Sequence, residues 1–365
     1  MSARADTRFM ARALALAAEG LGRTFPNPPV GAVFARGGRV VGEGFHRRAG
    51  APHAEIEALR AAGGRVRGAT LYVTLEPCSH HGRTPPCADA LLGLGLRRVV
   101  VAMVDPNPRV RGRGIAKLRR AGIPVVVGPG ADEARLLTAG YRSHVLRGRP
   151  LVTLKLAVTL DGRIAASGGD SRWVTGPAAR RLAHALRAVS DAVLVGVGTV
   201  RADDPRLTCR LPGGHHPVRI VLAGRALRLP ARARVLARGG PPTWVVAPRG
   251  APAARVAALR RRGAEVLLVP GRRGRVPFGA LVRLLGARGL TSLLVEGGGT
   301  VAAEALRARA VDRLVLFVAP ALLGGDAVAA VGALGLERVR DAVRVSDLAL
   351  ARIGPDLVLE GRLGA

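Results

Sequence analysis

The chain has 365 residues, room for about two domains at ~100–200 residues each. Hydrophobic residues at 48% are ample for packed cores, and charged residues at 22% exclude a wholly disordered chain. The net charge of +32 invites a nucleic-acid reading, but the charge is almost all arginine, scattered through both halves, with only Lys117 and Lys155 as lysines. Alanine, glycine, leucine and valine are equally inflated, the pattern of a genome-wide codon bias. Aromatics, at 3%, are too scarce to build a base-stacking surface. We therefore expect no nucleic-acid partner, while the positive field would still attract a small anionic substrate. No apolar run reaches the ~18 residues of a membrane helix, and residues 1–9 lack the hydrophobic core of a signal peptide. A soluble, cytoplasmic protein is the expectation.

In chain order, residues 9–22 read as a helix, and residues 30–34 and 39–43 as a hairpin turning on Gly37-Gly38. A helix over 54–62 stops at Gly63-Gly64, and a strand follows over 70–75. Pro86 opens a helix over 86–94. A buried strand over 98–104, a helix over 115–121 and a strand over 124–127 come next. After the Gly/Pro stretch 128–130, a helix over 132–145 leads to the polar segment 147–150. The boundary between a first domain, 1–148, and a second, 149–365, falls there. The second half restarts with a strand over 151–158, a helix over 177–189 and a strand over 192–197. Further strands fall over 218–222, 243–246, 266–269, 293–295 and 314–318, with helices between several of them. This alternation predicts an α/β protein whose second half holds a mostly parallel sheet with helices on both faces.

Three cysteines, an odd number, argue against a disulfide framework. Two of them carry the strongest local signal: His53-Ala54-Glu55, then Pro77-Cys78, then Cys87. Two thiolates and an imidazole give zinc three protein ligands, and a tetrahedral ion then keeps one position for a water whose pKa it lowers. Glu55, two residues from His53 at a helix start, can shuttle protons without ligating. The grouping matches that of zinc nucleobase deaminases, although here eight residues, 79–86, separate the cysteines. Taken singly, His53 reads as a structural histidine and either cysteine as a small buried hydrophobe. A structural zinc with a fourth ligand from His80 or His81 remains an alternative. So does a nucleic-acid deaminase carrying an accessory nucleotide-binding domain, which predicts salt-sensitive RNA binding.

The run from Val73-Thr74-Leu75-Glu76-Pro77-Cys78 through Ser79-His80-His81-Gly82-Arg83-Thr84-Pro85-Pro86-Cys87 resembles the deaminase signature of the RibD family. That family joins a pyrimidine deaminase to a reductase in riboflavin biosynthesis. Asn27 in Pro26-Asn27-Pro28-Pro29 and the later Asp105-Pro106-Asn107-Pro108 match it too. The resemblance implies that His53, Cys78 and Cys87 bind zinc, that Glu55 shuttles protons, and that Asn27, His46, Arg83, Asp105 and Asn107 contact the substrate. Arg83 suits a ribose phosphate chemically, since a guanidinium binds phosphate bidentately. Without the motif it would read as a solvated loop arginine, and Asp105 and Asn107 as turn residues.

The second half continues the resemblance with Lys155-Leu-Ala-Val-Thr159-Leu-Asp-Gly162, Ser171-Arg172-Trp173-Val174-Thr175, Arg187, residues 196–208 and Glu296-Gly297-Gly298-Gly299-Thr300. Thr159 stands where the family usually has serine, and Ala223-Gly224 where it often has an Asp-Ser-like pair, which puts a side-chain cofactor contact there in doubt. Glycines between a strand and a helix let backbone N–H groups approach phosphates. No Gly-x-Gly-x-x-Gly fingerprint is present, as befits a family whose reductase is similar to dihydrofolate reductase. The implied fold is an N-terminal cytidine-deaminase-like α/β/α domain followed by a C-terminal dihydrofolate-reductase-like α/β domain. The resemblance further implies NADPH, held by Val158, Trp173, Thr199, Asp203 and residues 298–304, including Gly298, Gly299 and Thr300. It implies substrate contacts at Ser171, Arg187, Leu207, Arg210 and Glu296. In that reading the first domain deaminates a diaminopyrimidinone ribosyl phosphate, and the second then passes hydride from NADPH to C1 of the ribosyl group, with Lys155, Asp203 and Glu296 around that ribose. Families of this kind commonly self-associate, so a homo-oligomer is expected. Cys209 reads as a spare thiol.

Overall fold

The computed structural model describes residues 3–80 and 85–364. The chain divides into two compact units, Met1–Gly148 and Arg149–Ala365. In the first, Phe9, Met10, Ala13, Leu16 and Ala17 recur at helical spacing and are buried, so α1 (Ala3–Ala18) lays one apolar stripe against the sheet. The helix begins at Ala3 rather than at residue 9, and Asp6 near its start is buried although its neighbours Arg4, Thr7 and Arg8 are exposed. There Asp6 accepts hydrogen bonds from the Tyr72 hydroxyl at 2.7 Å and Arg98 Nη2 at 2.5 Å.

Strands β1 (Gly31–Arg36) and β2 (Arg39–Phe45) form the expected hairpin. Gly37 and Gly38, at φ 57° and 77°, supply the left-handed pair that a two-residue hairpin turn needs. The unit continues through α2 (Ala54–Ala61), β3 (Thr70–Val73), α3 (Cys87–Leu91), β4 (Arg98–Val101), α4 (Arg113–Arg120) and β5 (Val125–Val127). Among the described residues the sheet order is β2-β1-β3-β4-β5, with β3, β4 and β5 parallel. Both faces are covered, as period-two alternation shows. Leu71, Val73, Val99 and Val101 pack with Ala54 and Ala58 of α2 and Leu118 of α4. Tyr72, Val100 and Ala102 pack with α1 on the other side. The helix expected over 132–145 is two helices, α5 (Ala131–Leu137) and α6 (Ala139–Arg147). They break at Thr138, whose hydroxyl donates to the Ala134 carbonyl at 2.6 Å, a local bond of the kind that bends helices.

The second unit runs β6 (Leu151–Thr159), β7 (Arg163–Ala165), α7 (Pro177–Ala188), β8 (Ala192–Gly196), α8 (Val197–Asp203), β9 (Val218–Leu222), β10 (Thr243–Pro248) and α9 (Ala253–Arg261). It continues with β11 (Glu265–Val269), α10 (Phe278–Ala287), β12 (Ser292–Val295), α11 (Gly299–Arg307), β13 (Arg313–Ala319), β14 (Val328–Ala329), β15 (Val345–Ile353) and β16 (Asp356–Leu363). The sheet order is β11-β10-β9-β8-β12-β6-β13-β16-β15. It is parallel from β11 to β13, as expected, and then antiparallel through β16 and β15. This terminal hairpin has no counterpart in the sequence reading, because β15 is exposed along nearly its whole length and shows no buried face. The Gly354-Pro355 pair between the two strands was its one local signal. The Arg149–Asp312 pair, two bonds at 2.7 Å, ties the start of β6 to the segment before β13. No described helix is long and apolar enough to cross a membrane.

Candidate metal centre and cofactor cavity

His53 is the N-cap of α2, in extended backbone (φ −71°, ψ 164°), and its side chain makes no capping bond. Cys78 follows β3 and Pro77, and Cys87 is the first residue of α3, behind Pro86. Three element ends thus meet. His53 Nδ1 lies 3.2 Å from Cys87 Sγ and 3.5 Å from Cys78 Sγ, and the three ligand atoms all fall within 4.8 Å of one another. Zinc–sulfur and zinc–nitrogen bonds of roughly 2.3 and 2.1 Å imply tetrahedral edges of roughly 3.6–3.8 Å, so the set fits zinc with little adjustment. The Cys87 thiol, against the cost of burial, and then His53 and the Cys87 backbone N–H hold the Cys78 thiol well below its ordinary range, while the same pairing and burial push the Cys87 thiol up. His80 is exposed and outside this group, and His81 lies outside the described residues.

Glu55, in the first turn of α2, is 4% exposed. Burial pushes its carboxyl up, while it interacts with His53, Cys78 and Cys87. Asn27 and His46 are brought to the same place. The His46 ring stands edge-on to that of His53, with centroids 5.3 Å apart. His46 Nδ1 is 3.0 Å from the Pro52 carbonyl, which can only accept, so the proton sits on Nδ1 and Nε2 accepts from Asn27 Nδ2 at 3.0 Å. Arg83 lies outside the described residues.

Asp105 and Asn107 sit in the loop after β4, and their side-chain oxygens serve that loop. Asp105 Oδ1 accepts from Asn107 N at 2.8 Å, and Asn107 Oδ1 from Arg109 N at 3.1 Å. A carboxylate the sequence reading passed over holds the loop in place. Glu76, 3% exposed, accepts from Asp105 N and Gly112 N through Oε2 and from Gly114 N and Ile115 N through Oε1. At Gly114 a Cβ would come within 1.9 Å of the Pro77 carbonyl, so the loop closes directly on the residue before Cys78. The available signal was position, since Glu76 is two residues from a ligand.

Asp105 also offers a stability test. Burial, opposed by the Asn107 N–H and the Tyr141 hydroxyl, pushes its carboxyl up to about 6 from 3.8. With the folded value above the unfolded one, its contribution is intact below pH 3.8 and is lost as pH rises to about 6. Asp105→Asn keeps the Oδ1 acceptor and removes the buried charge. At pH 7 urea unfolding should show a gain on the order of 2 kcal/mol that vanishes near pH 4. Equal stability at pH 7 would refute this.

In the second unit the carboxyl ends of β8, β9 and β12 border a cavity of about 900 Å³. Lys155, Ser171, Trp173, Arg187, Thr199, Asp203, Leu207, Arg210, Glu296, Gly298, Gly299 and Thr300 all line it. Val158 does not. It is buried within β6, 3% exposed. Leu207 reaches the cavity with its side chain packed in the hydrophobic cluster of β8 and β9. Arg187 clasps Glu296 through Nε–Oε1 at 2.6 Å and Nη2–Oε2 at 2.7 Å. Against the cost of burial, Arg187 and Lys155 hold the Glu296 carboxyl down to about 2. Burial lowers Lys155, opposed by Glu296. Ser171 Oγ donates to Asp203 Oδ1 at 2.9 Å. The glycine turn is a cradle a Cβ would fill, for at Gly299 it would lie 2.7 Å from the Ala329 carbonyl. Gly298 N–H, expected to face a phosphate, donates instead to Thr199 Oγ1 at 2.9 Å, which leaves Gly299 and Thr300 at the mouth of α11.

Residues 3–103 match the cytidine and deoxycytidylate deaminase zinc-binding region, and residues 150–359 match the RibD C-terminal domain. Riboflavin biosynthesis protein RibD of Escherichia coli is 44% identical over 97% of this chain and 98% of its own length. That of Aquifex aeolicus is 42% identical over 97% of each. Among solved structures, Acinetobacter baumannii RibD superposes with a TM-score of 0.88 at 38% identity over 99% of both chains. A diaminohydroxyphosphoribosylaminopyrimidine deaminase/5-amino-6-(5-phosphoribosylamino)uracil reductase from Thermotoga maritima superposes with a TM-score of 0.86 at 36% identity, again over 99% of both. From end to end, then, this chain belongs to the RibD family of bifunctional riboflavin-biosynthesis enzymes, a zinc-binding deaminase joined to a reductase.

Proposed function

We propose that the first unit removes an amino group from a diaminohydroxyphosphoribosylaminopyrimidine and that the second reduces the product's ribosyl group to ribityl. The observation that carries this reading is one chain holding both a His53–Cys78–Cys87 donor set beside buried Glu55 and a cavity with Lys155, Arg187 and Glu296 on its wall. Zinc held by those three residues would supply a water activated for attack at neutral pH. Glu55 moves the protons. Its carboxylate takes one from the attacking water and returns it to the departing nitrogen, so that the C–N bond breaks and ammonia leaves. Asn27 spends an amide hydrogen on His46 Nε2, which leaves its oxygen to accept from the pyrimidine. Arg83 takes the ribose phosphate, and Asp105 and Asn107, on the loop that Glu76 fixes, contact the ring.

NADPH supplies the hydride in the second unit, and the residues there suit it. Gly299 and Thr300 at the start of α11 would hold its phosphates, and Thr199, Asp203 and Trp173 would line the rest. Lys155 Nζ gives a proton to the ring oxygen as the bond from that oxygen to C1 of the ribosyl group breaks, so the oxygen leaves as a hydroxyl and C1 is open to the hydride. Glu296 and Arg187 fix the sugar beside Lys155. Ser171 and Asp203, already bonded to each other, orient its remaining hydroxyls.

The test is the pyrimidine substrate with ammonia and NADPH absorbance followed separately; a protein that performs neither step would overturn the reading. Asp203→Asn should cut NADPH oxidation by about tenfold or more while ammonia release stays within about twofold. Parallel loss of both activities would contradict separate sites. We further propose a homo-oligomer, supported by Leu348 and Leu350, 58% and 63% exposed on the edge strand β15. A cytoplasmic setting, where thiols stay reduced, suits Cys78 and Cys87 as ligands.

A further inference from the structure

Two arginines reach the wall of the second unit's cavity in different electrical states. Arg187 is paired twice with the Glu296 carboxylate, so its charge is cancelled. Arg210 instead donates from Nε to His184 Nε2 at 3.0 Å. The charges acting on Arg210 are those of Arg187, Arg234, Arg206 and Arg180, all of its own sign. His184 lies on α7 one turn before Arg187 and lines the same cavity.

A ring nitrogen that accepts an N–H must be unprotonated, so the imidazole is neutral with its hydrogen on Nδ1. Burial, then the Arg187 and Arg210 charges, push His184 down to about 4, consistent with a neutral acceptor at pH 7. A carboxylate in its place would grip Arg210 as well but would cancel its charge. A neutral acceptor fixes the guanidinium and leaves the charge for something else.

We propose that His184 is a positioning residue for the reductase step, orienting Arg210 toward the substrate phosphate while leaving its positive charge uncancelled. This rests on the reading of Arg210 as a substrate contact. Once oriented through Nε, Arg210 presents its two terminal nitrogens to an anion as a fork.

The test uses the full-length zinc-loaded chain. NADPH oxidation is followed with the deaminated phosphoribosylamino-uracil and with its dephosphorylated counterpart, and ammonia release serves as an internal control. His184→Leu should raise KM for the phosphorylated substrate about fivefold with kcat within about twofold. His184→Gln, which keeps a neutral acceptor, should stay within about twofold of the parent. His184→Glu keeps the bond but pairs off the charge, so its KM should rise at least as far as that of the leucine variant. The dephosphorylated substrate should not distinguish the three. Equal KM for the glutamine and glutamate variants on the phosphorylated substrate would overturn the proposal, and this pair carries the test if the leucine variant fails to fold. Arg210→Ala separates the two levels. If it raises KM and His184→Leu does not, the His184 inference alone is wrong. If Arg210→Ala itself leaves KM unchanged, the reading of Arg210 falls first.

Discussion

Glu55→Gln is expected to keep its zinc and lose its ammonia release. The three ligand atoms come from His53, Cys78 and Cys87, and Glu55 is not among them, so metal analysis should still find about one zinc per chain. The amide is nearly isosteric with the carboxylate, so the buried site should stay packed. What disappears is the group that accepts a proton and passes it on. General acid–base catalysis contributes ~10²–10⁴-fold, and here one residue serves both halves of the transfer, so a fall of about 10³-fold or more is expected. NADPH oxidation, measured with pre-deaminated substrate, should match the parent. A glutamine variant that deaminates at a comparable rate would remove Glu55 from the mechanism.

Glu296→Ala should disable the second unit as sharply. The Glu296 and Arg187 side chains are 7% and 13% exposed, and Lys155 is stabilised by the same carboxylate. Removing it strips the counterion from a buried guanidinium and an ammonium at once. Breaking a buried pair from one side costs ~3–5 kcal/mol, and that loss should appear as a lower urea midpoint for the second unit. NADPH oxidation should fall below detection, because the same change removes the group that fixes Lys155 against the sugar. Ammonia release should continue, since every proposed deaminase group lies before residue 148. Retained NADPH oxidation would show that the Arg187–Glu296 clasp is structural only.

The zinc set was legible from spacing because its geometry is local. A histidine at a helix start and cysteines flanking a strand-to-helix connection need little more than secondary structure to converge. The same holds for the hairpin at Gly37-Gly38, whose turn chemistry is written in two residues. The parallel core of the second sheet was legible because its strands are near-continuous apolar runs. What was hidden depends on long-range pairing. Asp6 starts α1 early because Tyr72 and Arg98 come to meet it from far along the chain. Glu76 has no partners in sequence at all, since its four are backbone amides. The β15–β16 hairpin lacks a buried outer strand, so no periodicity marked it. His184 gains meaning only through Arg210, 26 positions away.

The Glu76 clasp has an evolutionary corollary. One carboxylate fastens the segment that would recognise the pyrimidine to the segment that supplies a sulfur to the metal, so the two cannot drift separately. Changes that reshape one should tend to release the other. Descendants that adopt a new nucleobase by altering residues 105–115 should therefore do so around an intact Glu76, or surrender their zinc in the attempt.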